Sequence, residues 1–431
     1  MRTGWNRVAA AMVAGAVSFS FTTARSMAAD AGDDLKLLRE ELAKQRAYIE
    51  QLEKRVESQE AKNEARAKAQ AEAIAKLPAI EAGYDGGFYL RSKDKPFSLN
   101  INALGQFRYT FFNNTGGGHG NQNFDVALGR LALSGTMFDP KLSYFLQTQG
   151  STLGNNNNIT MLDWWTSYNF APEFATQAGR FVLPYSRQFY TPPSELLFAD
   201  LSQADYAFNL PRSIGGHISG KIGRLSYDAA MLNSIRALDA PGQQNFGTNM
   251  AAVGRLEYDI LAPYGYSETS PKPVTDPQLS IGLAFAYNPV DGTSSFQNLK
   301  AKDSTTNVTL DLGYRWERLS FQSAGYYRRD DFTTPGLGTG NDWGGYTQAG
   351  FYLIPQKLEI AGQVSGVKFD KLNVAGVFEK TMAYTLGLNY YVHSHNVKFQ
   401  LDYSYLDNSA FKGQPSAPDN NRVMLQTQIA F

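Results

Sequence analysis

The chain has 431 residues, its 40 Lys and Arg are balanced by 40 Asp and Glu, and it contains no cysteine. The lack of cysteine excludes disulfides, thiolate metal ligands, cysteine nucleophiles and an acylated N-terminal cysteine. The balanced charge gives no basic footprint for nucleic acid, and after the N-terminal leader no apolar run approaches the roughly 20 residues of a membrane helix.

The first residues have the pattern of a secretory signal peptide. Arg2 and Arg7 precede an apolar run from Val8 to Phe21, and small residues follow it. This order predicts export, with a signal peptide over residues 1–28. A membrane anchor is the competing interpretation, but the apolar run is too short for one.

Residues 30–77 are predicted to form a periplasmic coiled coil, with a solvated single helix as the alternative. The first half of the heptad seam consists mostly of apolar residues, at Leu35, Leu38, Leu42, Gln45, Ile49, Leu52, Val56 and Gln59. The second half is more polar and predicts a weaker seam. Pro78 ends the helix, and residues 78–96 are predicted to be a linker with a hinge at Glu81 to Gly87.

From residue 97 to residue 431 the chain alternates with a period of two. In the stretch VKFQLDYSY, for example, Phe399 and Leu401 lie on one face of a strand and Gln400 and Asp402 on the other. The pattern predicts sixteen strands, at 97–112, 123–138, 141–151, 159–170, 174–183, 212–222, 224–234, 246–260, 278–289, 305–316, 318–331, 342–354, 357–369, 380–392, 396–407 and 421–431.

A water-soluble β-sandwich would also alternate, so the connections decide between the two folds. Connections after even-numbered strands are mostly tight, and those after odd-numbered strands are long and rich in Gly and Asn. Apolar faces also begin or end in aromatic residues, as membrane interfaces favour. We therefore predict an all-β, 16-stranded antiparallel transmembrane β-barrel over 97–431, preceded by the α-helical coiled coil and lying in the outer membrane of a Gram-negative cell.

Two connections break the regular pattern. The segment from Pro184 to Pro211 follows the fifth strand and is rich in aromatic residues and leucine, so we predict that it folds into the barrel as a constriction. An ordinary extracellular loop is the alternative. The segment from Ala262 to Pro277 is long although it follows an even strand, and it predicts a periplasmic excursion or a misplaced strand.

The last strand ends on Phe431 with no polar tail. A barrel closes by pairing its last strand with its first, which explains why the final residue is needed. A terminal phenylalanine after alternating apolar residues also predicts recognition by the outer-membrane assembly machinery.

Several stretches resemble the phosphate-selective porin O/P family of Gram-negative outer membranes. They are Gly129 to Gly150, Ala178 to Ser186, Arg212 to Asn233 and Leu386 to Asp407. The resemblance implies a sixteen-stranded trimeric channel, in some members with an N-terminal periplasmic coiled coil. It does not settle the solute, because residues 79–431 contain 27 Lys and Arg against 29 Asp and Glu and a phosphate channel needs clustered cations.

Charged residues on polar strand faces are the candidates for the pore lining: Arg108, Arg130, Arg180, Arg255, Arg315 and Arg328. In the predicted constriction the candidates are Arg187, Glu195, Asp200 and Asp205. No catalytic residues, metal site or cofactor are expected, since His393 and His395 are predicted to be turn residues without a third ligand.

The predicted function is a passive diffusion channel for small hydrophilic solutes or ions, with a preference for anions such as phosphate left open. The alternative is a structural tether that links the outer membrane to peptidoglycan or another periplasmic component through the coiled coil. The expected partners are outer-membrane lipid, two further copies in a homotrimer, and the assembly machinery that reads Phe431; an outer-membrane enzyme is less well supported.

Overall fold

The computed structural model describes residues 31–76, 80–92, 97–114, 120–153, 158–235, 250–289, 302–332, 338–370, 378–411 and 420–431. Contacts divide the chain into two compact units, Met1–Pro78 and Ala79–Phe431. The predicted signal peptide lies outside the described residues.

The first unit contains the helix α1, Ala31–Lys76. Its 46 residues span about 69 Å at roughly 1.5 Å per residue. The predicted seam residues Leu42, Ile49 and Val56 are about half exposed, so one helix alone leaves the apolar stripe uncovered. The predicted helix is confirmed, and its association with other chains stays a prediction. None of the described helices has the length and apolar character to cross a membrane.

The second unit is built from strands, eighteen of them in the described residues. They are β1 Ile80–Tyr84, β2 Phe88–Ser92, β3 Ser98–Asn114, β4 Asn121–Met137, β5 Asp139–Gly150, β6 Ile159–Ala171, β7 Phe174–Val182, β8 Arg212–Ile222, β9 Leu225–Leu232, β10 Ala251–Asp259, β11 Val274–Asn288, β12 Lys302–Glu317, β13 Leu319–Phe332, β14 Thr339–Ile354, β15 Leu358–Lys368, β16 Lys380–His393, β17 Val397–Ser409 and β18 Asn420–Ala430.

Strands β3 to β18 form a closed antiparallel barrel of sixteen strands. Each strand pairs with the next along the chain, and β18 pairs with β3 from Asn420 opposite Asn114 to Ala430 opposite Leu104. Phe431 completes the seam, since its backbone N–H donates to the carbonyl of Ala103 at 3.0 Å. The predicted strands are confirmed, with boundaries that differ by at most five residues.

The two faces of each strand are the reverse of those in a water-soluble protein. In β17, Phe399 and Leu401 are more than 40 % exposed on the outside, whereas Lys398, Gln400 and Asp402 are buried inside. Apolar side chains outward and polar side chains inward are what a barrel in lipid requires. The alternation therefore identifies a transmembrane barrel and rules out the sandwich.

The linker prediction missed a hairpin. Strands β1 and β2 pair with each other around a turn in which Gly86 has φ 66°, and β2 pairs with β3 from Ser98 to Ile101. Residues 81–87 thus belong to a β-hairpin, with its turn at Asp85 to Gly87, and do not form a hinge. The sequence pattern was present, since two short alternating stretches flank Asp-Gly-Gly, a combination that favours a hairpin.

The short connections lie at one end of the barrel, as predicted. Several of them place a residue other than glycine in the left-handed region: Phe138, Glu317, Gln356 and Ser394. The exception is residues 260–273 between β10 and β11. The segment is an excursion and not a misplaced strand, and we call it the inserted turn.

Candidate functional site

Residues 183–211, here called the constriction segment, fold into the barrel after β7. The segment contains α2 (Arg187–Tyr190), a 3-10 turn (Pro193–Glu195) and α3 (Gln203–Phe208). The hydroxyl of Ser186 accepts the N–H of Phe189, and that of Ser202 accepts the N–H of Asp205. These serine caps start both short helices inside the lumen.

The constriction segment is hydrogen-bonded to the wall formed by β13 to β17. The Tyr326 hydroxyl on β13 donates to Asp205 at 2.8 Å, and the Ala204 N–H donates to Ser365 on β15 at 2.9 Å. The backbone N–H of Ala199 donates to Asp402 on β17 at 2.7 Å. The segment also bonds to β3, where Gln106 Nε2 donates to the Pro193 carbonyl at 3.2 Å, so its bonds extend from β13 round to β3.

Wall glycines make room for the apolar side chains of the segment. A Cβ built at Gly350 would lie 2.9 Å from Leu197, and one at Gly387 would lie 2.9 Å from Phe198. Such distances are too short for a real side chain, so larger residues there would displace the segment.

The inserted turn enters the barrel from the other end and meets the constriction segment. Glu268 accepts hydrogen bonds from Gln188 Nε2 at 2.7 Å and from the Leu197 N–H at 2.6 Å. Thr269 donates to Glu359 on β15 at 2.5 Å. Burial of Glu268 raises the pKa of its carboxyl group. The sequence indicated an excursion here but not that it folds inward.

A buried cluster of two cations and two carboxylates lies beneath these segments. Arg187 contacts Asp311 at 2.6 Å and Glu257 at 3.0 Å, and Arg255 contacts Asp311 at 2.6 Å and Glu257 at 3.0 Å. The cluster balances its own charge, as buried ions require. It stabilises the filled side of the lumen and offers no charge to a passing solute.

The other side of the lumen is open. A cavity of about 850 Å³ lies between the constriction segment and the inner faces of β3 to β8. A second cavity, of about 310 Å³, shares Arg130 and Gln147 with the first and reaches Phe431 near the short-turn end. The two cavities share lining residues and define a path along one wall of the barrel.

The charged side chains that line the larger cavity are Arg108, Arg130, Arg212, Arg422, Asp163 and Asp200. Arg212 Nε lies 3.1 Å from each oxygen of Asp163, and Arg108 lies 3.1 Å from Asp200. Two pairs are thereby neutralised. Arg130 and Arg422 have no carboxylate partner among the described residues, so the larger cavity carries an excess of positive charge.

The predicted lumen residues divide into three groups. Arg108 and Arg130 line the open cavity. Arg255, Arg315 and Arg328 also point inward, but they are covered by the two segments: Arg315 lies 4.4 Å from the Tyr264 ring and Arg328 lies 2.6 Å from Asp342.

Arg180 belongs to the outer face, and its predicted orientation is corrected by the strand register. It lies opposite Trp164 and Ile214, both more than 50 % exposed on the outside, whereas the next residue, Phe181, is buried inside. Arg180 Nε donates to the Leu162 carbonyl at 2.8 Å. Neither face of β7 is clearly polar in sequence, which is why parity alone chose wrongly.

The predicted constriction residues are also split between the two sides. Arg187 and Asp205 are fully buried against the wall, Asp200 lines the larger cavity, and Glu195 lines the smaller one. Sequence reasoning missed Asp163, Arg212 and Arg422. Each is a charged residue on or next to a predicted strand, and that signal alone could have placed them in the lumen.

The closed sixteen-stranded barrel, its inverted faces and its partly filled lumen define an outer-membrane porin, a channel for passive diffusion. A family model described as "Phosphate-selective porin O and P" matches residues 97–431, and the chain belongs to this family. No curated protein matches the chain.

Three solved structures illustrate the shared fold. The outer membrane channel DcaP of Acinetobacter baumannii is 13 % identical, with a TM-score of 0.56, and the alignment covers 81 % of this chain and 100 % of that one. An anion-selective porin from Comamonas acidovorans is 14 % identical (TM-score 0.53; 77 % and 99 % covered). The trimer form of OmpT from Vibrio cholerae is 11 % identical (TM-score 0.50; 77 % and 99 % covered).

Proposed function

We propose that this porin conducts small hydrophilic solutes with a preference for anions. The observation that carries the proposal is the charge of the larger cavity: among its described lining residues, Arg130 and Arg422 have no carboxylate partner, whereas Asp163 and Asp200 each have an arginine. A net positive lumen favours the entry of anions and opposes that of cations.

The two unpaired arginines are available to a solute. Within the described part of the chain, Arg130 makes one hydrogen bond, from Nε to the neutral Gln149 at 2.7 Å, and its terminal nitrogens have no protein acceptor there. Arg422 lines the same cavity, and although its Nε is buried, that atom has no hydrogen-bond partner among the described residues. The overall acidity of residues 79–431 does not oppose this proposal, because carboxylates such as Asp311 and Glu359 are buried on the filled side.

The test is the reversal potential of purified protein in a planar bilayer under a salt gradient. We expect the sign of an anion-preferring channel, and we expect Arg130→Gln combined with Arg422→Gln to lower the anion-to-cation permeability ratio about threefold or more. Arg180→Gln, on the outer face, is the matched control and should change nothing. A cation-preferring wild type would reject the proposal. Chloride compared with phosphate tests whether phosphate is favoured.

The assembly and orientation are proposals as well. The trimer form of a structural neighbour supports a homotrimer, and the position of all short turns at one end supports a periplasmic location for that end. Helix α1 would then lie in the periplasm. Phe431, paired with Ala103 at that end, remains the proposed signal to the assembly machinery, and peptidoglycan remains a proposed partner of the helix.

A further inference from the structure

The inner face of β5 and β6 carries aromatic rings where an outer-membrane barrel normally carries polar side chains. Phe145 and Trp165 lie opposite each other, and their rings stack with centroids 5.4 Å apart. Both line the open cavity. The inward rings of Tyr326 and Tyr346 are fully buried in the core cluster beneath the constriction segment, whereas Trp165 packs against that cluster and is only partly buried.

The constriction segment adds two more rings to this cavity. Phe189 and Tyr190 of α2 both line it and are only partly buried. The open path therefore runs between aromatic side chains of the wall and aromatic side chains of the segment. Such a slot favours a flat apolar group, which gains contact area on the rings and leaves water.

Cationic groups lie next to the rings. Asp163 is two residues from Trp165 on the same inner face, a separation of roughly 7 Å along a strand, and it holds the guanidinium of Arg212 at 3.1 Å. The Arg212 guanidinium carbon also lies 5.9 Å from the centre of the Phe189 ring. Arg130, which has no carboxylate partner among the described residues, lines the same cavity as these rings.

We propose that the channel recognises organic anions that carry a flat apolar group, such as aromatic sulfonates and carboxylates. The acid group meets Arg130, and the ring lies between Trp165 and Phe189. The inference rests on the proposed anion preference and adds the class of solute. A purely hydrophilic anion gains nothing from the aromatic wall.

The experiment measures block of the chloride current through the wild-type channel in a planar bilayer by two probes, sodium benzenesulfonate and sodium methanesulfonate. Both carry the same charge at all working pH values, and only the first has a ring. We expect benzenesulfonate to half-block the current at a concentration about threefold to tenfold lower, the range that one aromatic contact gives. Equal concentrations for the two probes would overturn the inference.

Two variants assign the effect to the slot. Trp165→Thr should bring the half-blocking concentrations of the two probes together, while Trp164→Thr, the neighbouring residue on the outer face, should leave them apart. Heat-modifiable migration in gels checks that both variants are folded, and the wild-type comparison stands without them. If the reversal potential shows a preference for anions but benzenesulfonate blocks no better than methanesulfonate, only the aromatic slot is rejected. If the reversal potential shows a preference for cations, the proposed function itself is rejected.

Discussion

Asp205 is a fully buried carboxylic acid in the constriction segment. Its Oδ1 contacts the hydroxyl groups of Ser186 and Tyr326, while its Oδ2 has no partner among the described residues. Burial raises the pKa of Asp205 from its ordinary value of 3.8 to about 7, although the two hydroxyl groups act in the opposite direction. The protonated form is therefore the one that fits the docked segment.

This pKa predicts that docking of the segment depends on pH. Because the pKa is higher in the docked state, the stabilisation is complete below about pH 3.8 and is lost as the pH rises through about 7. We expect more current fluctuations and a lower unfolding temperature at pH 8 than at pH 5. Single-channel recording and thermal unfolding at both pH values check this.

Asp205→Asn should remove most of that pH dependence, because the amide does not ionise. Asp200→Asn is the control, since Asp200 lies in the same segment but its side chain is 41 % exposed. A pH dependence that survives Asp205→Asn unchanged would assign it to another group, such as Glu268.

Residue types predicted which side chains enter the lumen better than they predicted the charge of the part that stays open. Charged residues on polar strand faces were correctly expected inside the barrel for Arg108 and Arg130, because alternation fixes parity when one face is clearly polar. Net charge is a poor guide to the open cavity, since it counts Asp311 and Glu359 although both are buried on the filled side. Which charges reach the solute depends on the segments that cover them, and that is set by contacts distant in sequence.

At the scale of elements, the inserted turn is a support for the constriction segment. Glu268 satisfies a backbone N–H at Leu197 and the side chain of Gln188, and Gly265 accepts a bond from Arg187 Nη1 at 2.9 Å. Its effect on the channel is therefore exerted through the constriction segment.

We predict that Glu268→Ala loosens the constriction segment. The change leaves buried donors without an acceptor, at a cost of about 2–4 kcal/mol for two bonds to a charged or strongly polar group. Single-channel conductance should rise and become noisier, and the unfolding temperature should fall. Lys272→Ala, an exposed position in the same turn, serves as the control. A normal conductance trace for Glu268→Ala would show that the segment holds its place without the turn.

The strands could be predicted because each carries its own signal. Period-two alternation and tight turns are local, so boundaries came within five residues even for β10 and β11. The inward path of residues 260–273 could not be predicted in this way, because Glu268 finds Leu197 and Gln188 far away in the chain. The hairpin of β1 and β2 had a local signal that was outweighed by the proline and glycine around it.

For the whole molecule, the exposed stripe of α1 and the barrel both bear on assembly. Leu42 and Ile49 are about half exposed in the single chain, and parallel packing of helices would cover them. Barrels joined in a trimer hold three helices at high effective concentration, so even a weak seam can pair.

We predict a homotrimer whose number is set by the barrels. Leu42→Cys, in a chain with no other cysteine, should cross-link between subunits under mild oxidation. Deletion of residues 30–77 should leave the trimer and its conductance intact, as measured by native mass and bilayer recording. A monomer after deletion of residues 30–77 would show instead that helix α1 drives assembly. Loss of envelope attachment with unchanged conductance would support the tether as a second role of the helix.

The constriction segment docks on the wall from β13 round to β3, and this docking divides the barrel's perimeter for any genetic selection. Variants that reduce uptake of a toxic solute without harming the protein are expected on β4 to β8, at positions such as Arg130 and Trp165. Variants on β13 to β17, at positions such as Ser365 and Asp402, should instead lower the amount of folded protein in the membrane. Resistance arising by altered permeation should therefore map to the first third of the barrel sequence, and resistance arising by loss of channels to the last.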